Sequence, residues 1–153
     1  MCRANRCGVY GKCWMCPPDI GDIEILMPRV REYSHALVYQ TVSMLEDSYD
    51  FEGMVAAKKR SYPLARQMRR LFTGETFSRV LHLGAGGCDI CGKCAKQSGE
   101  LCRFPDMAMS SLEAYGINVS KLAESSGMKY INGQNTVTYF GAVLFSLRDG
   151  GNT

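Results

Sequence analysis

The chain has 153 residues, of which 46% are hydrophobic and 22% are charged, and its formal net charge is +3. These proportions are ordinary for a globular protein and exclude a disordered chain. The length suits a single domain, 1–153. No apolar run approaches the about 20 residues that a membrane-spanning helix needs, and the small positive charge does not indicate nucleic-acid binding.

Cysteine usage is the most informative part of the composition, because the chain contains eight cysteines. The N-terminal segment has basic residues without an apolar stretch behind them, so we expect no secretory signal and a cytoplasmic location. In a reducing cytoplasm, clustered cysteines are more often metal ligands than disulfide partners. The sequence therefore predicts metal binding through thiolates.

The first cysteine-rich loop, residues 1–18, reads MCRANRCGVYGKCWMCPP. Glycines between the thiols favour turns, which predicts a metal loop rather than a helix or a strand. Its four candidate ligands are Cys2, Cys7, Cys13 and Cys16.

A short helix and a strand are predicted after this loop. Apolar residues at helical spacing predict a helix that ends near Ser34 and has Pro28 in its first turn. Residues 36–42, ALVYQTV, are β-branched and aromatic, which predicts a strand.

A long amphipathic helix is predicted over residues 51–72, and Pro63 should kink or split it. Its apolar side includes Leu71, and its basic residues lie largely on the other side. A basic helix face is most often solvated, although it is also a candidate docking surface for an acidic partner protein. The basic residues are Lys58, Lys59, Arg60, Arg66, Arg69 and Arg70.

Residues 79–83, RVLHL, predict a buried strand that runs into a glycine-rich turn. With the preceding strand and helix it would form a right-handed βαβ unit, and the turn would lie at the carboxyl end of a strand, where α/β sheets build their sites. His82 and His35 are weak ligand candidates, because isolated histidines in such positions more often belong to the core.

The second cysteine-rich loop, residues 84–105, reads GAGGCDICGKCAKQSGELCRFP. Its first three thiols are three residues apart, a spacing that lets the chain wrap one inorganic cube and predicts a 4Fe-4S site, with zinc as the alternative. Glycines in this loop would let the backbone approach the cofactor closely. The candidate ligands are Cys88, Cys91, Cys94 and Cys102, and the candidate cofactor-binding glycines are Gly84, Gly86 and Gly87.

The spacing leaves open which cysteines share a metal group. In two-cluster ferredoxins a proline-flanked cysteine ligates the other cluster, so Cys16 and Cys102 are candidates for an exchange between the loops. A zinc site would instead pair the CxxC segments 13–16 and 91–94, which leaves four cysteines unused.

The remaining elements are two helices and a strand. Residues 105–115 are predicted as a helix that ends at Gly116, residues 118–126 as a second helix, and residues 136–145 as an apolar strand in the middle of a sheet. The tail after Arg148 is polar. Together the elements predict a small α/β fold, or alternatively α+β, in which a sheet of three or more strands carries flanking helices and the two metal loops.

The segments CRANRCGVYGKCWMCPP, LHLGAGGCDICGKCAKQSGELCRFPDMAMSSLEAYGINV and KYINGQNTVTYFGAVLF resemble a known family. It comprises cysteine-rich, predicted metal-binding proteins of unknown function from anaerobic bacteria and archaea, and the resemblance spans nearly the whole chain. It implies iron-sulfur or other metal binding on a small α/β domain in an anaerobe. Members are suspected of serving corrinoid or other one-carbon metabolism, and the resemblance supplies no substrate.

Three functions are compatible with these features. The leading hypothesis is an electron-transfer or activating accessory module that carries one or two 4Fe-4S clusters and serves a redox partner protein, with no nucleic acid or membrane involved. The second is an enzyme that binds substrate at an iron without a cysteine ligand, and the third is a structural zinc protein. Candidate pocket residues for the enzyme are Tyr130, Asn132, Asn135 and Tyr139.

Overall fold

The computed structural model of this chain describes residues 2–148, so the predicted polar tail lies outside the described residues. Its four strands form one sheet in the order β1-β4-β2-β3, which confirms the predicted sheet, and the helices of the chain give the fold its α+β character. The strands are β1 (His35–Met44), β2 (Phe77–Gly84), β3 (Ser110–Ser111) and β4 (Thr136–Leu147).

Three α-helices lie within residues 2–148, and none of them is long and apolar enough to cross a membrane. They are α1 (Ile23–Val30), α2 (Phe51–Leu71) and α3 (Val119–Ser125), and short 3₁₀ helices occupy Cys2–Ala4, Ala95–Ser98 and Glu113–Tyr115.

Two expectations about prolines are corrected. α1 begins after Asp22, so Pro28 lies inside the helix rather than in its first turn. α2 continues through Pro63 and is not split there, while a kink at that position stays a prediction. A proline removes one main-chain hydrogen bond, and the rest of the helix tolerates that loss at both positions.

The prediction of a helix over residues 105–115 is wrong. Ser110 and Ser111 instead form β3, which pairs in parallel with the end of β2, and the Leu112 N–H donates to the Gly84 carbonyl at 2.9 Å. Only the 3₁₀ helix Glu113–Tyr115 follows, and it ends as predicted at Gly116, which has a φ of 77°. Pairing with a distant strand has overridden the local helical preference.

Within residues 2–148 the chain forms two compact units, which are interleaved in sequence. The first combines residues 2–32 with 83–118, and the second combines residues 33–82 with 119–148. The last two residues of β2 and all of β3 belong to the first unit, while β1, β4 and the rest of β2 belong to the second.

In the second unit, β4 is the central strand, as predicted. It pairs antiparallel with β1, and its middle residues are buried, with Val143 fully inaccessible. β4 separates β1 from β2 in the sheet order, so the predicted βαβ unit of neighbouring strands is not formed. Leu71, expected on the apolar side of α2, is exposed, whereas Phe72 packs against Phe77 and Phe145.

A tyrosine of β1 reaches across β4 in this unit. The Tyr39 ring lies over Gly141, and its hydroxyl is 2.7 Å from Nε2 of His82. Burial raises the pKa of Tyr39 to about 12, and burial together with the nearby Arg69 charge lowers the pKa of His82 to about 4. His82 is therefore a neutral packing residue of the sheet, as expected for an isolated histidine.

Candidate metal centre

All eight cysteines lie in the first unit, and all are free thiols. The fold thus brings the two predicted cysteine loops into one compact unit although about 70 residues separate them in sequence. Cys13 and Cys16 are buried, with exposed fractions of 3% and 6%, and Cys7 is exposed. The remaining five are half-buried.

Turns in the first loop place Cys13 and Cys16 side by side. The Gly11 N–H donates to the Pro17 carbonyl at 3.0 Å, and the Cys16 N–H donates to the Cys13 carbonyl at 3.0 Å. The resulting turn lets the two thiols hydrogen-bond to each other. The predicted metal loop therefore has a defined turn structure with two buried sulfur atoms at its end.

The two buried thiols differ in how easily they ionise. Cys16 donates to Cys13, and this bond, helped by a further one from Cys94, lowers the pKa of Cys13 to about 6. The same bond and burial raise the pKa of Cys16 well above its ordinary range. Cys13 is thus the more easily ionised thiol of the pair, and a thiolate is the form that binds metal.

Cys13 also connects the first loop to the second. Besides its hydrogen bond with Cys94, its Sγ lies 3.7 Å from the Cys88 carbonyl oxygen. Cys16 interacts electrostatically with Cys13, Cys7 and Cys2 of its own loop. Spacing made Cys16 and Cys102 the candidates for an exchange between loops. Cys13 contacts the second loop, and Cys16 Sγ also lies near Gly87 of that loop, so which cysteines share a metal group stays a prediction.

The second loop carries a positive charge next to its thiols. The Arg103 guanidinium pairs with Glu100 at 2.8 Å and lies within electrostatic range of Cys91 and Cys94. Burial is the main cause that raises the pKa of Cys88.

The three glycines predicted to approach a cofactor have different surroundings. A side chain on Gly87 would lie 3.0 Å from Val9 Cγ2 and 3.4 Å from Cys16 Sγ, so the backbone there lies against the first loop. Gly86 has a φ of 66°, a conformation that favours glycine, and Gly84 ends β2. Their role in holding a cofactor stays a prediction.

The model of the family described as predicted metal-binding protein (DUF2284) matches residues 1–145. The chain belongs to this family. No curated protein and no solved structure matches it significantly. Membership of this family supports metal binding by the chain. It does not identify the metal, which has to be inferred from the chemistry of the ligands.

Three side-chain contacts, here called the clasp, join residues of the first loop and its flank to the second loop. They could not be predicted from the sequence, because the residues involved are distant from each other along the chain. The Trp14 indole N–H donates to the Glu100 carbonyl at 2.9 Å, and the Lys96 ammonium lies 4.7 Å from the centre of the Trp14 ring. Lys96 also pairs with Asp19, and both side chains are mostly shielded from solvent. Since Trp14 lies between Cys13 and Cys16 in sequence, the clasp fixes the first loop where its buried thiols meet the second.

The donor set suits a thiolate-bound metal. Thiolates select zinc, copper(I) and iron-sulfur clusters, whereas magnesium and calcium prefer oxygen ligands. Within residues 2–148, no three cysteine, histidine or carboxylate side chains converge closely enough to surround a single ion. A metal group would therefore be held by thiols that close around it as it binds.

The candidate pocket residues of the enzyme hypothesis all lie in the second unit, where they make structural contacts. Asn132 donates to the Lys129 carbonyl and to Thr138 Oγ1, and Tyr139 donates to the Met54 carbonyl at 2.8 Å. These are the turn-making and packing roles of ordinary structural residues. Tyr130 stacks on Phe140, and Asn135 contacts Ser48 and Glu46.

Proposed function

We propose that this protein binds one or two 4Fe-4S clusters and works as an electron-transfer or activating accessory module. The observation that carries the proposal is the gathering of eight free thiols, enough for two sets of four, in one compact unit of a predicted metal-binding protein. Each such cluster is commonly held by four cysteine thiolates, so the thiol count fits two clusters.

A bound cluster would supply one-electron transfer, and the chain supplies its environment. The burial of Cys13 and Cys16 keeps water away from part of the site. Arg103 places a positive charge near Cys91 and Cys94, which favours the more negative, reduced state of a group bound there. Water access and nearby charge are two of the features by which a protein tunes the potential of a bound cluster.

Metal analysis of protein purified without oxygen tests this function. We expect a brown protein that contains iron and acid-labile sulfide in equal amounts and has visible absorption that bleaches when dithionite is added. The chelator-stripped protein, reconstituted with iron and sulfide, should regain the same spectrum. A colourless protein with stoichiometric zinc, even after reconstitution, would show that the metal is structural.

The redox partner in this proposal is an acidic protein that docks on the basic face of α2. Arg66, Arg69 and Arg70 are exposed on this helix, as a docking face requires. Replacing all three with Gln should slow electron transfer from an acidic donor several-fold at low salt. The effect should fade at physiological salt, where the Debye length is about 8 Å.

Stopped-flow reduction over a salt series measures this effect, with a double Arg29→Gln, Arg31→Gln variant of two exposed arginines outside α2 as the matched control. The spectrum of the metal group should be the same in all variants, because exposed charges contribute little to folding. Equal rates for the wild type and the triple variant at every salt concentration would mean that α2 has only a solvated basic face.

A further inference from the structure

β1 forms one edge of the sheet. In the strand order β1-β4-β2-β3 it pairs with β4 over its whole length of ten residues, and no strand within residues 2–148 lies on its other side. An open edge of this kind presents main-chain N–H and C=O groups that pair readily with another strand. β1 therefore offers an interaction surface that metal binding does not use.

The register shows which main-chain groups of β1 are open. The Leu45 N–H donates to the Asn135 carbonyl at 2.8 Å, and these two residues continue the β1–β4 register. Hydrogen-bonded pairs alternate with non-bonded pairs in an antiparallel ladder, so the odd-numbered residues of β1 bond to β4. The N–H and C=O groups of the even-numbered residues point away from β4. These residues are Ala36, Val38, Gln40, Val42 and Met44.

β1 lacks the features that protect an open edge. Natural edge strands commonly carry a lysine, a proline or a bulge that hinders pairing with other chains. The sequence of β1, HALVYQTVSM, has no lysine, no proline and no formally charged residue, and its register to β4 is continuous. Ala36, Val42 and Met44 are exposed along it. An unprotected apolar edge of this length indicates that another strand covers it.

Charge at the end of the strand favours antiparallel pairing of two copies of the chain. Glu46 and Asp47 follow β1 almost directly, and a parallel pair of β1 strands would bring the carboxylates of both copies side by side. Like charges that face each other across a strand pair are destabilising. Antiparallel strands place the two acidic segments at opposite ends of the contact, and the strand itself carries no formal charge that would oppose it.

Antiparallel pairing of all five outward-facing residues has its two-fold axis at Gln40. Ala36 of each copy then lies opposite Met44 of the other. Val38 lies opposite Val42, and Gln40 lies opposite its own copy. The Gln40 Oε1 atom is buried and has no hydrogen-bond partner in the described part of the chain. Such an atom is unfavourable, and the side-chain amide of the second Gln40 would supply the missing donor.

We propose that two copies of this chain pair antiparallel through β1, with the two-fold axis at Gln40, and form one continuous sheet. Main-chain hydrogen bonds hold the two strands together, and the apolar side chains along them are removed from water. β1 belongs to the second unit, whereas all eight cysteines lie in the first. The dimer is therefore independent of the metal that the cysteines bind.

Sedimentation velocity over a range of protein concentrations tests this contact. We expect the wild type to sediment as a dimer at micromolar concentration, both as purified and after treatment with a chelator. Two double variants that differ only at position 36 test the register. Ala36→Lys with Met44→Lys places like charges opposite each other at both ends of the contact. Ala36→Glu with Met44→Lys places opposite charges there.

The dimer of the lysine–lysine variant should dissociate at a concentration about ten-fold higher than that of the glutamate–lysine variant. Val55→Lys changes an exposed valine of α2 and is the control that should leave the dimer unchanged. Circular dichroism should show the same fold in every variant, because positions 36 and 44 are exposed. A monomeric wild type, equal dissociation constants of the two double variants, or assemblies larger than a dimer would each overturn the proposal.

Discussion

Cys13→Ser is expected to remove more metal than any other single serine substitution in the two loops. Cys13 is 3% exposed, hydrogen-bonds to both Cys16 and Cys94, and lies 3.7 Å from the Cys88 carbonyl oxygen. Serine is a poor ligand for soft metals, and the substitution acts where the two loops meet. Because metal binding is coupled to the folding of the ligand loops, we expect the loss of more than about half of the metal, measured by elemental analysis and visible absorption.

Cys102→Ser is the matched comparison for this experiment. Cys102 is half-buried and takes part in none of the thiol contacts described above. Replacing Cys102 should therefore disturb the contacts between the two loops less than replacing Cys13 does. The Cys102→Ser variant should retain more metal than Cys13→Ser. If Cys102→Ser lost the metal while Cys13→Ser kept it, the central place of Cys13 would be refuted.

Gly141→Ala is expected to destabilise the sheet of the second unit by about 1–3 kcal/mol, the usual range for overpacking. A Cβ at position 141 would overlap the Tyr39 ring, which crosses β4 there to reach His82. The ring is held there by the hydrogen bond between its hydroxyl and His82, and the strand by its pairing with β1. Equilibrium denaturation followed by circular dichroism would measure the loss.

Variants at Tyr39 separate the steric effect from the hydrogen bond. Tyr39→Phe keeps the ring and removes the hydroxyl, and it should cost about 1 kcal/mol. Combining Gly141→Ala with Tyr39→Ser relieves the overlap, so the double variant should be more stable than the sum of the single effects predicts. Strictly additive effects would mean that the ring does not restrict position 141.

The cysteine loops and most of the regular elements could be predicted from the sequence because their signals are local. Three thiols at three-residue spacing indicate metal binding wherever the loop lies, and membership of a predicted metal-binding family supports that interpretation. The run 136–145 predicted a central strand because every residue in it tolerates burial, and β4 occupies that place. The basic face of α2 follows in the same way from charge at helical spacing.

Contacts between distant residues could be decided only by the tertiary structure. Cys13 meets Cys88 and Cys94 about 75–80 residues further along the chain, and no spacing rule favours it over Cys16 for that place. The sequence by itself determined which residue types can bind metal, since ligand chemistry belongs to the side chain. The tertiary structure decided which of them meet, since proximity depends on how β2 and β3 pair and on how the two loops close on each other.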